Sequence, residues 1–504
     1  MIWNLNGPEK RSMSAVDTAW LRMDRRTNLM MIVGILIFES PLDIDEFKQL
    51  LETRFLKYRR FKQCPVGSGT SYYWEDDPDF CLDNHISRLQ LSDHADHGDL
   101  QAFVSELAST KLDDRRPLWH FHLVENFEGG TALIARIHHC YADGIALIQV
   151  LLGMTDNAPA AGGKRRKQRH EEADNDLWNK LYRPFAGAVT GAIKLYWDVI
   201  EGTIDLVKSP SKLMKYTNLG LGITADAARV LSMPNDPQTS LKGELSDRKK
   251  CVWAEPLDLN EVKQIGKALD CTINDVLLAS VAGSLRNYLL ERGDDLDGKD
   301  IRAFIPVNMR PATKMDRLGN YFGLVALSLP IGIANPFERL YELKRRMEEL
   351  KNSHEAIVAL GLLGVAGALP NAVQQFSFDL LTKKGSAVMT NVPGPREALS
   401  MAGSKLKDIL FWVPSSGEIG LGVSILSYNG QIRFGIIADS HLIPDPENIV
   451  NRLQCEFDKL LYGTLLNSWE APLSPMVIEQ EIHDWVAVQQ LESVLEAARM
   501  PQEA

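Results

Sequence analysis

The chain has 504 residues, 45% of them hydrophobic and 24% charged, and its 66 acidic against 55 basic residues leave a formal net charge of −11. This globular composition supports roughly two to four domains, and the acidic balance excludes a general nucleic-acid binder because no basic excess exists to neutralise phosphates. The cysteines, at 64, 81, 140, 251, 271 and 455, form no Cys-x-x-Cys pair and no metal-finger spacing, so they read as reduced thiols, with no metal or resident cofactor expected.

The stretch Met1 to Arg11 lacks the apolar core of a secretory signal, from which a cytosolic location is expected. Residues 13 to 152 then alternate between strand-like and helix-like patterns, as a mixed α/β region does. Strands are expected at Met31 to Phe38, Ser71 to Trp74, Trp119 to Val124 and Ala132 to Ile137, with helices at Ile44 to Phe55 and Leu100 to Leu112. The apolar run Leu29 to Phe38 falls short of the roughly 20 residues that a membrane-spanning helix needs.

The last of these strands, interrupted only by Arg136, leads into His138-His139-Cys140-Tyr141-Ala142-Asp143-Gly144. Asp143-Gly144 closes a turn, and apolar residues from Ile145 to Leu152 resume at helix-compatible spacing. A neutral imidazole at such a strand-to-helix switch can take a proton from a hydroxyl near neutral pH and return it to a leaving group. Asp143 is placed to fix the turn through an ion pair, and Gly144 leaves room for substrate. The bland alternative is a pair of structural or surface histidines. Cys140, adjacent to His139, points to the opposite strand face and is a poor nucleophile candidate.

Beyond Gly153, the small residues Ala158 to Gly163 and the basic run Lys164 to Arg169 read as a flexible linker. From Leu177 to Val207, apolar residues such as Leu181, Val189, Ile193 and Ile200 recur at helical spacing. The basic and aromatic residues there fit either a helix lying on a membrane surface or one packed between two lobes. A second α/β region begins at Cys251. Its strands are expected at Val252 to Pro256, Ile301 to Val307, Leu324 to Pro330, Ala387 to Asn391, Gly420 to Tyr428 and Gln431 to Ala438, with Asn429-Gly430 as a hairpin turn. A helix starts near Asn274-Asp275, capped by Asp275 or Thr272. The run Ala356 to Leu369 reads as a buried helix on which Gly361 and Gly364 open a groove for another helix or an alkyl chain. The expected layout is a motif-bearing domain (13–152), a linker with amphipathic helices (153–250), a second domain (251–466) and a helical tail (467–504), with the site between the lobes.

In order along the chain, Met13-Ser14-Ala15-Val16-Asp17, Pro117-Leu118-Trp119, His138 to Gly144, Leu241 to Ser246, Asn274-Asp275, Pro306 to Arg310, Leu318-Gly319-Asn320 and Asn391-Val392-Pro393-Gly394-Pro395 carry a resemblance. The set resembles the bacterial wax ester synthase/acyl-CoA:diacylglycerol acyltransferase family, among the CoA-dependent acyltransferases with a His-His-x-x-x-Asp-Gly motif, from about Ser14 to Gly463. The resemblance implies an α/β fold of two chloramphenicol-acetyltransferase-like mixed-sheet domains facing each other across a channel, with the motif at mid-channel. It implies His139 as the base and His138 as its support, with Asp143 turned away to hold the loop through an arginine such as Arg310. Asn274 is the candidate oxyanion donor. Pro117, Leu118 and Trp119 are read as substrate-lining or structural, and Asp275 and Asn391 as structural support.

The implied reaction moves a fatty acyl group from acyl-CoA, a co-substrate, to a long-chain alcohol or to diacylglycerol, without a covalent enzyme intermediate. Two departures from the family pattern, Thr390 before Asn391 and Asn308-Met309 before Arg310, bear on substrate preference rather than on the base. An amine-acylating or condensation-type enzyme and a non-catalytic lipid-droplet scaffold are the competing readings. Peripheral contact with a membrane or lipid inclusion, and oligomerisation, are open at the level of sequence.

Overall fold

The computed structural model describes residues 10–69, 71–92, 95–156, 232–310, 318–351, 359, 371–415 and 417–466. The linker beyond residue 156, the amphipathic segment up to Val207, Gly361 and Gly364, and the tail 467–504 lie outside them.

The chain opens with β1 (Arg11–Ser12) and α1 (Ala15–Met23), whose N-cap Ser14 accepts the Asp17 N–H on its hydroxyl at 3.1 Å. β2 (Met31–Phe38) is buried at every position, as a continuous apolar run requires of a strand covered on both faces. α2 (Ile44–Leu50) runs into one wider π turn at Leu51–Phe55, so the helix expected over Ile44 to Phe55 is present with a loosened end. β3 (Gln63–Ser68) and β4 (Ser71–Asp76) form a small sheet with β1. There follow β5 (Ile86–Gln90), α3 (His97–Ala108), β6 (Trp119–Phe127), β7 (Gly130–His138) and α4 (Gly144–Leu152).

The second half supplies β8 (Lys249–Trp253), β9 (Leu257–Asp258), α5 (Leu259–Ala268), α6 (Ile273–Glu291), β10 (Ile301–Asn308), β11 (Phe322–Leu329), α7 (Pro336–Lys351) and α8 (Asn371–Thr382). β12 (Ala387–Pro393), β13 (Ser400–Met401), β14 (Ser404–Trp412), β15 (Leu421–Tyr428), β16 (Gln431–Asp439) and α9 (Glu447–Leu466) complete it. Asn429 and Gly430, with φ of 47° and 78°, make the turn between β15 and β16 in the left-handed conformation that Asn-Gly favours.

Two mixed sheets result, in keeping with the expected α/β architecture. One has the order β13-β14-β2-β7-β6-β5 and the other β11-β10-β12-β15-β16-β8, with β9 also on β16. Within the first, β5 and β6 are parallel; within the second, β10, β12 and β15 are parallel. The sheets are interlocked. β14, from the second half, pairs with β2 of the first, and α3 lies against β8, where Ser105 Oγ accepts the Cys251 N–H at 2.8 Å. No single helix among the described residues is long and apolar enough to cross a membrane.

Gly34 of β2 faces Phe411 of β14 so closely that a Cβ would run into the aromatic ring. Gly34→Val is therefore expected to cost about 1–3 kcal/mol by overpacking. A thermal midpoint equal to the parent's would show that this seam tolerates the added bulk.

Candidate active site

The path of the chain around the histidine motif follows from three sets of hydrogen bonds. β7 pairs with β2 as far as His138 opposite Met31, and the His139 N–H donates to Met30 O at 2.7 Å. The chain then turns, Tyr141 N–H reaching back to His138 O at 3.1 Å. Asp143 caps α4, its Oδ1 accepting the Ala146 N–H at 2.8 Å. Its other oxygen accepts from Arg310 Nη2 at 2.7 Å and from the Tyr321 N–H at 2.9 Å. Gly319 O accepts from the same Arg310 nitrogen at 2.9 Å and from the Asp143 N–H at 3.3 Å. The pairing of Asp143 with Arg310 is thus present and buried, with the guanidinium 4.4 Å above the Tyr321 ring.

His139 is 3% exposed, its ring stacked on Trp20 at 4.1 Å between centroids and flanked by Phe322 at 5.5 Å. Asn320 Nδ2 holds the backbone beneath it, donating to His139 O and to Asp17 Oδ1, each at 2.9 Å. Burial pushes the His139 imidazole down to about 3; its own backbone and Asn320 offset part of the shift, yet Nδ1 has no well-formed hydrogen bond among the described residues. The ring is therefore neutral at pH 7. His138 turns elsewhere: its Nδ1 accepts the Cys140 N–H at 3.1 Å and its Nε2 lies 3.7 Å from Asp24 Oδ1. The Cys140 thiol is buried and held protonated, its pKa well above the usual range.

These buried imidazoles set an acid limit on stability. Burial, joined in His122 by the nearby Arg136 charge, holds both His122 and His139 at about 3, against 6.5 for an unperturbed histidine. Between those values the unfolded chain binds more protons than the folded one, so their contribution is complete above about pH 6.5 and is lost as pH falls toward 3. The thermal midpoint is expected to decline steadily below about pH 6.5, with a shallower decline in His139→Ala. A midpoint that is flat across this window in the parent protein would contradict the assignment.

A cavity of about 170 Å³ lies between the two sheets with His139 in its wall. The first half contributes Trp20, Ile32, Ile145 and Ile148, and the second contributes Phe304, Phe322, Leu324, Val388 and Leu426. Polar groups are few, among them Asn308, Thr390, Asn391 and Ser424. Gly144 also lines it; a Cβ there would rest on Val413 at 3.6 Å, so the absent side chain leaves that volume open.

A second cavity, of about 70 Å³, is lined by Asn274, whose Oδ1 accepts from Asn391 Nδ2 at 2.6 Å. Asn274 does not line the cavity of His139, and the expectation of an oxyanion donor there needs correction: the helix start carries it behind β12. Asn391, read only as support, borders both cavities. Asp275 closes a capping box with Thr272 at the start of α6. Pro117, Leu118 and Trp119, read as substrate-lining or structural, take the structural place of the two. They are buried and absent from both cavities: the Trp119 indole N–H donates to Phe61 O at 2.8 Å and its ring stacks on His85, while the Leu118 N–H donates to Tyr141 Oη. This tripeptide anchors the core beside the histidine loop.

Sequence reasoning assigned no role to Trp20, Asn320, Tyr321 or Phe322. Two signals were available: Trp20 stands three residues after Asp17, on the same helical face, and Leu318-Gly319-Asn320 belonged to the resemblance. Among the described residues, no group of three or more His, Cys, Asp and Glu side chains could hold a metal ion.

A probable diacylglycerol O-acyltransferase of Mycobacterium tuberculosis is 27% identical over 455 residues, covering 88% of this chain and 94% of that protein. The O-acyltransferase WSD of Acinetobacter baylyi is 26% identical over 465 residues, covering 88% and 96%. The solved wax ester synthase/diacylglycerol acyltransferase of Marinobacter aquaeolei shares the fold, with a TM-score of 0.63 at 21% identity over 90% of this chain and 99% of that one. The family model of the wax ester synthase/diacylglycerol acyltransferase catalytic domain matches residues 13–277, and that of the family's C-terminal domain matches 318–461. With the first match alone spanning more than half of its length, the chain belongs to the wax ester synthase/diacylglycerol acyltransferase family of acyltransferases.

Proposed function

We propose that this protein transfers a fatty acyl group from acyl-CoA to the hydroxyl of a long-chain alcohol or of diacylglycerol, with His139 as the general base. One observation carries the reading. The neutral imidazole of His139 stands in the wall of a largely apolar cavity between two sheets, while the Asp143 carboxylate is engaged with Arg310, Tyr321 and Ala146 and is not spare to act on substrate.

In the proposed step, the acceptor hydroxyl gives its proton to His139 as its oxygen bonds to the thioester carbonyl carbon. The C–S bond then breaks, and the proton passes from the imidazolium to the departing CoA sulfur. The burial that lowers the pKa of His139 makes its protonated form short-lived, which favours prompt return of that proton. Preorganised donors stabilise the oxyanion. Thr390 is the better placed side chain for this than Asn274, because it lines the same cavity as His139 and its hydroxyl reaches Ser424 Oγ only at 3.5 Å.

The test presents palmitoyl-CoA with hexadecanol, dioleoylglycerol or a long-chain amine and measures CoA release. Release with either hydroxyl acceptor and none with the amine is expected. Release with the amine alone would replace the reading with amine acylation.

A further inference from the structure

The second cavity lies across the sheet from the first. Phe304 and Val388 face the cavity of His139, whereas Ile305, Val307 and Met389, their neighbours along β10 and β12, face the second, as alternation along a strand requires. Its far wall comes from Leu278 of α6 and Met347 and Leu350 of α7. Three residues, Pro306, Thr390 and Asn391, border both cavities.

The sheet opens at that point. β10 pairs with β12 only at Ala303 opposite Ala387 and Phe304 opposite Val388. β10 nonetheless stays paired with β11 as far as Asn308, and β12 with β15 as far as Pro393. The two strands therefore part beyond Phe304 and Val388, where Pro306 offers no N–H for a ladder. A side-chain hydrogen bond, Asn391 to Asn274 at 2.6 Å, joins β12 to α6 beside the opening, and releasing it breaks no backbone pairing.

We propose that a linear alkyl chain of one substrate passes from the reaction cavity between β10 and β12, and that its end lies in the second cavity against Leu278 and Met347. This inference rests on the acyl-transfer reading for the identity of the substrates. The lining of the second cavity is mostly aliphatic, with Lys351 its one charged member among the described residues, and matches an alkyl tail. The chain belongs either to the acyl donor or to the alcohol, and Leu278 and Met347 limit its length.

The test uses Leu278→Phe and Met347→Phe in the full chain, one variant on each helix so that a folding failure in one leaves the other to decide. Equilibrium binding is measured for palmitoyl-CoA against octanoyl-CoA and for hexadecanol against octanol, beside the thermal midpoint. A folded variant is expected to lose about tenfold or more in affinity for the long member of one pair while holding the short member unchanged. A loss confined to the CoA pair assigns the passage to the acyl chain, and one confined to the alcohols assigns it to the acceptor. Equal changes for long and short members in both pairs, or none, would overturn the proposal. Because binding needs no turnover, discrimination by length without CoA release in the acceptor assay would overturn the acyl-transfer reading and leave the passage standing.

Discussion

His139→Ala is expected to lower acyl transfer at least ~10²-fold while the protein remains folded, the low end for loss of a general base. The decrease is expected in kcat and in kcat/KM together, because a proton acceptor acts in the transition state and contributes little to holding the substrates. The pH profile provides a second check. Burial lowers the pKa of His139 to about 3, so in the free enzyme the base is available throughout the neutral range and the acidic limb of kcat/KM lies well below 6.5. A variant with near-parental turnover would remove the ring from the chemistry. A parental profile breaking at an ordinary histidine pKa would place the titrating group elsewhere.

How much of this was legible in sequence depended on whether the interactions were local. β2 could be read because it is a continuous apolar run, and β7 because its apolar run is broken only by Arg136 before the histidines, and both are buried along their whole length. The turn at Asp143-Gly144 could be read because an Asp-Gly pair before a resumed apolar helix has a local purpose, while the capping of that helix by Asp143 was found only in the fold. β14 could not: the sequence shows neither that Ser404–Trp412 leaves its own half nor that it pairs with β2, since that partner is fixed by tertiary packing. The places of Trp119 and Asn274 were not legible for a related reason. Trp119 pairs with Ile137 just before the histidine loop and Asn274 begins a helix behind β12, and which side of its sheet each comes to lie on depends on strand partners that no short motif encodes. The stack of Trp20 on His139 joins a helix to a strand end more than a hundred residues away, and only the folded chain brings them together.

Removing either member of the Asp143–Arg310 pair is expected to destabilise the protein by about 3–5 kcal/mol, the usual cost of leaving a buried charge without its partner. Arg310→Met leaves a carboxylate that retains the Tyr321 and Ala146 N–H groups, while Asp143→Asn keeps a capping oxygen but removes the carboxylate charge that faces the buried guanidinium. Arg310→Lys keeps the charge and loses the planar guanidinium that lies over the Tyr321 ring, so an intermediate loss is expected. The double variant Arg310→Met/Asp143→Asn removes both charges at once. Its destabilisation is expected to fall short of the sum of the single losses by about 1–3 kcal/mol, the coupling of a buried pair in direct contact. The pair positions the turn that carries His139, so each single variant should lower kcat more than it raises KM. Additive stability losses would show that the two side chains act separately. A change in KM with kcat intact would assign them to substrate binding instead of to holding the histidine loop.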